Sequence, residues 1–203
     1  MFPSGDTVDS IAQAASLRRT WALVGLYFTS FGGFLALTVW LPSYWVSLHE
    51  IETRTAGILT AVGFILLATF VRIPGGVLSD RLGGERTAIV SFVTVGVGAT
   101  LMILTRDLTV AVVAMVLLAI GIGVTTAAVF QLLPMYVPEA VGGASGLVGG
   151  LGAFSGFVVP PLLGLVVDVQ GATGYATGFV VYLGLAAIGI LLSGGLYSIA
   201  DRT

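Results

Sequence analysis

Residues 72–87 read RIPGGVLSDRLGGERT, and two features in them need a physical reason. The first is the turn. Gly83 and Gly84 permit positive φ and a tight reversal of the chain, and Asp80, Arg81, Glu85 and Arg86 surround that reversal with charge. The second is Arg72, which stands inside an otherwise apolar run shortly before the turn. A phosphate-binding loop does not fit, because there is no lysine and the glycine spacing is wrong.

The rest of the chain makes Arg72 expensive. Of 203 residues, 57% are hydrophobic and 9% charged, and the mean hydropathy is +1.07. A soluble domain carries about 25% charge. So much apolar surface does not fit into one aqueous core, which makes this an integral membrane protein. The 29 glycines agree, since glycine lets membrane helices approach closely. There is no cysteine, and His49 is the only histidine. That supply excludes disulfides and leaves little for metal or nucleophile chemistry, so neither an enzyme, a metal site nor a cofactor is expected. The net charge of −2 and the lack of a basic patch point away from nucleic acid. All eight basic residues are arginine; a compositional bias of the source is a sufficient reason, and no function is inferred from it.

A membrane helix needs about 20 mostly apolar residues, and six stretches qualify: 21–47, 56–79, 87–104, 109–133, 143–167 and 175–199. They are continuous apolar runs rather than ten-residue alternating segments, which argues against a β-barrel. Six spans place both termini on one side. That side carries Arg18, Arg19, Arg81, Arg86 and Arg202, against Arg54 and Arg106 on the other, so the termini are expected in the cytoplasm. Residues 1–20 read as a solvated leader or linker, because Asp6 and Asp9 stand where a signal peptide needs basic residues. Residues 21–199 form the membrane domain and 200–203 a cytoplasmic tail.

The order of residues in the turn is more specific than its composition. Gly76-x-Leu78-Ser79-Asp80-Arg81-x-Gly83-Gly84-x-Arg86 resembles the loop signature of the major facilitator superfamily, which recurs between the second and third helices of each six-helix half. The resemblance implies an all-α integral membrane fold, with these six helices forming one half of a twelve-helix transporter. It also implies a gating role for Asp80, with Arg81 and Arg86 as its partners. Glu85 departs from the usual run of basic residues there.

Arg72 lies seven residues inside the end of the second span at Ser79, about 10 Å along a helix, in a hydrocarbon core about 30 Å thick. A central arginine costs about 2.5–3.5 kcal/mol on insertion scales, and intramembrane ionisable residues usually face a cavity and mark a substrate or ion path. A buried ion pair or snorkelling are the alternatives. The depth weakens snorkelling, and no acidic residue lies well inside any span. Arginine's planar fork of donors suits a planar oxyanion. In the first span, LYFTSFGGF sets Tyr27 and Phe31 four apart on one helical face, either as pocket wall or as ordinary aromatic packing. In the fifth span, Gly143, Gly146, Gly149 and Gly152 recur every three residues, with Gly156 four later. They are read as one bare face for close packing, and also for sliding. Thr125, Thr126 and Gln131 of the fourth span either line a polar path or satisfy themselves within the helix. His49 and Glu50 are read as solvated.

Four segments together, LYFTSFGGF, RIPGGVLSDRLGG, GIGVTTAAVFQLLP and GGASGLVGGLGAFSGFVVP, resemble the C-terminal half of the nitrate/nitrite porter family. The Thr125–Thr126 pair departs from the family's pattern. The resemblance implies a substrate-binding role for Arg72, one of two arginines that clasp the anion between the halves. It implies that Tyr27 and Phe31 belong to the pocket, and that the glycines at 143, 146, 149, 152 and 156 form the mobile signature helix. The expected partners are a small inorganic anion, the lipid bilayer and an N-terminal six-helix half. That half is expected in the same reading frame, with Met1 an internal start; a separate chain or a homodimer are the alternatives. The competing functions are transport of another small organic anion or solute, and a non-transporting membrane subunit.

Overall fold

The structure, a computed structural model, describes residues 4–200, with side chains placed over 7–198. Arg202, the side chain of Asp6, the start at Met1 and the tail beyond Ala200 lie outside the described residues. Among the described residues, six helical spans are long and apolar enough to cross a membrane: Arg18–His49, Thr53–Leu82, Gly84–Leu104, Leu108–Tyr136, Pro138–Thr177 and Val180–Ser198. Each contains most of one expected stretch. The sixth starts later than expected because Gly171, at φ 62°, and a turn through Gly178 use residues 171–179 for the reversal. The fourth is capped at its start by Asp107, whose carboxylate accepts from the Val110 amide at 2.9 Å.

Lipid tails are as apolar as leucine, so helices in a membrane gain little from hydrophobic burial and rely on close van der Waals contact and interhelical hydrogen bonds. The glycines supply the contact. A Cβ on Gly121 would lie 2.7 Å from the Ser91 carbonyl, and one on Gly98 2.9 Å from that of Ala114, so the third and fourth spans meet nearly backbone to backbone. A Cβ on Gly33 would lie 3.2 Å from the Tyr182 ring, and Tyr182 donates to the Gly33 carbonyl at 3.0 Å. That bond fastens the sixth span to the first. Gly32 leaves room for the Ser155 side chain of the fifth span, which a Cβ there would overlap. The first span is the hub, with Leu23, Leu26, Leu37, Leu41, Tyr44 and Trp45 fully buried.

The second and fifth spans are different. Only 22% of the apolar window of each is buried, against 61% for the first. Ile58, Val62, Phe70 and Ile73 on one, and Phe154, Phe157 and Leu165 on the other, stand exposed.

The leader is not wholly solvated. Ser4–Ser16 is a helix lying on the start of the fifth span. Ala14 is fully buried, and the Gly143 amide donates to the Ser10 hydroxyl at 3.1 Å. Trp21 donates its indole N–H to the Ala15 carbonyl at 2.9 Å. Gly143 allows this because a side chain there would occupy the Ser10–Ile11 backbone.

The second span carries two irregularities. Ala61–Leu66 is π-helical, and the chain turns at Val71 before resuming as Arg72–Leu82. Pro74 explains the turn. It has no N–H for the Phe70 carbonyl four residues back, and its ring crowds that carbonyl. Arg72 is therefore the first residue past a break in the helix.

Candidate functional site

The second span runs on to Leu82, so Arg72 lies about 15 Å from the end of the helix. Its guanidinium carbon sits 5.3 Å from the Phe34 ring centre and 5.8 Å from that of Phe31. Phe31 stacks on Tyr27 at 5.0 Å and 13°, and on Phe34 at 5.9 Å. Phe34 stacks on Phe64 at 5.6 Å, and Tyr27 meets the edge of Phe130 at 5.1 Å. The expected trio of Arg72, Tyr27 and Phe31 is thus one cluster. It is completed by Phe34 and Phe64, which the sequence did not single out, and by Phe130 of the fourth-span segment GIGVTTAAVFQLLP. Phe34 was within reach of a helical-face argument, being three residues past Phe31. Phe64 arrives from the second span and leaves no local signal.

The chemistry of Arg72 is unbalanced. The Nε atom is buried and has no hydrogen-bond partner, and the side chain has no ion pair among the described residues. Ring faces attract a cation by about 0.5–2 kcal/mol, but they do not accept a fork of N–H donors. Arg72 is half-buried, and a buried donor left without an acceptor is costly. What satisfies a planar fork is a planar acceptor with two oxygens.

The glycines of the fifth span do not act as one face. A repeat of three falls about 60° short of a full turn at each step, so residues 143 to 152 wind around half the helix. Gly152 is pressed on Tyr27, where a Cβ would come 2.9 Å from the tyrosine Cβ. Gly156 faces Leu35 and Gly143 faces Ser10, whereas Gly146 and Gly149 have nothing within 4 Å. The packing reading therefore holds for three of the five. Thr125 and Thr126 are buried and donate to their own helix, to the Gly121 carbonyl at 2.8 Å and the Ile122 carbonyl at 2.7 Å. Gln131 is turned away from the cluster: it accepts from the Ser79 hydroxyl at 3.1 Å.

At the charged turn, Gly83 has φ 90°, which an L side chain rarely adopts. Gly84 is needed for space, since a Cβ there would come 2.5 Å from Leu132 and from Gln131. Gly76 has no neighbour within 4 Å. Asp80 and Arg81 are exposed and make no ion pair among the described residues. Arg86 donates to the Tyr197 hydroxyl at 2.7 Å and covers that ring at 5.2 Å. The carboxylate that is held here is Glu85. It is only 6% exposed, and the Tyr136 hydroxyl lies 2.6 Å from its Oε1 and 2.9 Å from the Leu196 carbonyl. Sequence gave no sign of this, because the partners come from the fourth and sixth spans. His49 is likewise half-buried rather than solvated, with Nε2 3.3 Å from the Tyr44 hydroxyl; Glu50 is exposed.

The family model described as the Major Facilitator Superfamily matches residues 23–202. The chain belongs to the major facilitator superfamily. Curated relatives include a protein named probable nitrate transporter from Staphylococcus epidermidis, 30% identical over 88% of this chain and 46% of its own length. A probable nitrate/nitrite antiporter of Thermus thermophilus is 34% identical over 85% of this chain and 43% of its own. The nitrite extrusion protein of Bacillus subtilis is 34% identical over 78% and 40%. The chain therefore spans about half the length of the curated relatives it matches. Among solved structures, a bacterial homologue of the human lysosomal transporter Spinster, in an inward-facing unoccupied conformation, superposes with a TM-score of 0.59 at 18% identity. It covers 92% of this chain and 50% of that one. That likeness supports the fold: six membrane helices arranged as half of a superfamily transporter.

Proposed function

We propose that the chain is the C-terminal half of a transporter that moves nitrate or nitrite by alternating access. The observation that carries this is Arg72, a deep guanidinium set among aromatic rings with a buried Nε that nothing in the described residues accepts from. A small planar oxyanion matches its fork, and the rings of Phe31 and Phe34 beside the guanidinium lower the local dielectric and strengthen the attraction. Gly152 places the backbone of the fifth span directly on Tyr27, so motion of that helix reaches the site. The names of the relatives support the same substrate class. The weakly buried faces of the second and fifth spans suit contact with an N-terminal six-helix half, encoded in the same frame. A separate chain or a second copy of this one are the alternatives. The chain resides in the plasma membrane with both termini in the cytoplasm, by the excess of arginine on that side. A reporter fused to Thr203 should stay inside; display outside would reverse the orientation.

The test is uptake of labelled nitrate by vesicles carrying the chain with its companion half. Uptake competed by nitrite is expected. Uptake of an organic anion that nitrate does not affect would favour a different superfamily substrate. A stable complex without solute flux would favour a non-transporting subunit.

A further inference from the structure

A cleft of about 460 Å³ between the third and sixth spans is lined by apolar side chains, and nothing marks its occupant. A second cleft, of about 360 Å³, carries more information. It opens between the second and third spans at the charged turn. Arg81 and Arg86 stand at it, with Leu78, Leu82 and Val90 as apolar lining. These three are exposed by 43%, 54% and 64%, as side chains facing an acyl chain would be. Thr87 also lines it and is 2% exposed, and its buried hydroxyl oxygen has no hydrogen-bond partner. The turn caps the third span, whose first amides, from Gly84 on, present the positive end of a helix. Arg86 is already held on Tyr197; Arg81 is exposed and makes no ion pair among the described residues.

Cationic donors above an apolar slot at the membrane edge match one chemistry, a phosphate diester on two acyl chains. We propose that this cleft binds the headgroup of an anionic phospholipid, with Arg81 and Arg86 on the phosphate and Leu78, Leu82 and Val90 along one tail. Charge complementarity selects the occupant. Anionic lipids face basic pockets between helices at the membrane surface, and a free anion would have no use for the apolar wall. A smaller cleft of about 220 Å³ on the same side repeats the pattern with Arg18 and Arg19 over Leu191 and Leu192, so the readout must count lipids.

Native mass spectrometry of the full chain in detergent, titrated with phosphatidylglycerol, does so. Two bound lipids are expected, with phosphatidylcholine much weaker. R81Q should lose one of the two, its affinity falling about five-fold for the removed charge. V90W, which fills the slot without touching charge, should lose the same lipid. Inorganic phosphate should not displace it. Retention of both lipids by R81Q and V90W, or displacement by inorganic phosphate, would overturn the proposal. Arg86 is left intact in these variants because its bond to Tyr197 also serves the fold.

Discussion

Replacing Arg72 by leucine should abolish nitrate uptake by the assembled transporter while the protein is still made, inserted and folded. A hydrogen bond to a charged group contributes about 1.5–3 kcal/mol. Losing two from a planar fork costs about 10²- to 10⁴-fold, at 1.4 kcal/mol per decade. The effect on stability runs the other way. Arg72 has a buried Nε without an acceptor, so an apolar residue of similar size relieves a cost rather than removing a support. The thermal midpoint of R72L should equal or exceed that of the parent. R72K keeps the charge and loses the fork, and should recover only part of the activity. Uptake retained by R72L would sink the role assigned to Arg72. Lost uptake together with a collapsed midpoint would make it a structural residue.

The glycines of the fifth span should separate into two groups when each is changed to alanine. Gly152 has the Tyr27 ring against it, with Cδ1 2.5 Å from where a Cβ would stand. Tyr27 is itself stacked on Phe31, so it has little room to yield. Overpacking of this kind costs about 1–3 kcal/mol, and it displaces the wall of the site. G152A should therefore lower both the thermal midpoint and the uptake. Gly146 and Gly149 have open space around them, and alanine is the better helix former by about 1 kcal/mol. G146A and G149A should leave the midpoint of this chain unchanged or raised. If they reduce uptake even so, the surface they meet belongs to the other half. Equal destabilisation by all three would contradict the packing described here.

Much of the fold was legible because a membrane imposes a simple rule. Every backbone polar group must be satisfied internally, so long apolar runs become helices and their count gives the topology. Arg72 was legible for the same reason, since a charge inside such a run is conspicuous. Tyr27 and Phe31 followed from helical spacing. What stayed hidden was tertiary. Phe64 reaches Arg72's aromatic neighbours from the second span, and its own sequence surroundings look like any lipid-facing stretch; Phe130 stands in a segment whose resemblance was legible, but its contact with Tyr27 was not. The signature glycines read as one face only while their repeat is counted in residues; counted in degrees, it winds around the helix. Glu85 and Asp80 stand five residues apart in one charged turn, and composition does not say which is buried. The approach of Gly84 to Leu132 decides it, because it draws the start of the third span against the fourth, beside Tyr136. The leader helix escaped for a similar reason: its contact with Gly143 joins residues far apart in sequence.

The central claim is that a planar oxyanion occupies the guanidinium of Arg72, and protection from an arginine-directed reagent tests it most directly. The assembled transporter would be treated with phenylglyoxal in the presence of nitrate, nitrite or sulfate, and modification read residue by residue. Nitrate and nitrite should shield Arg72 while leaving exposed Arg81 and Arg54 as reactive as before. Arg72 modified equally with and without nitrate would contradict the account.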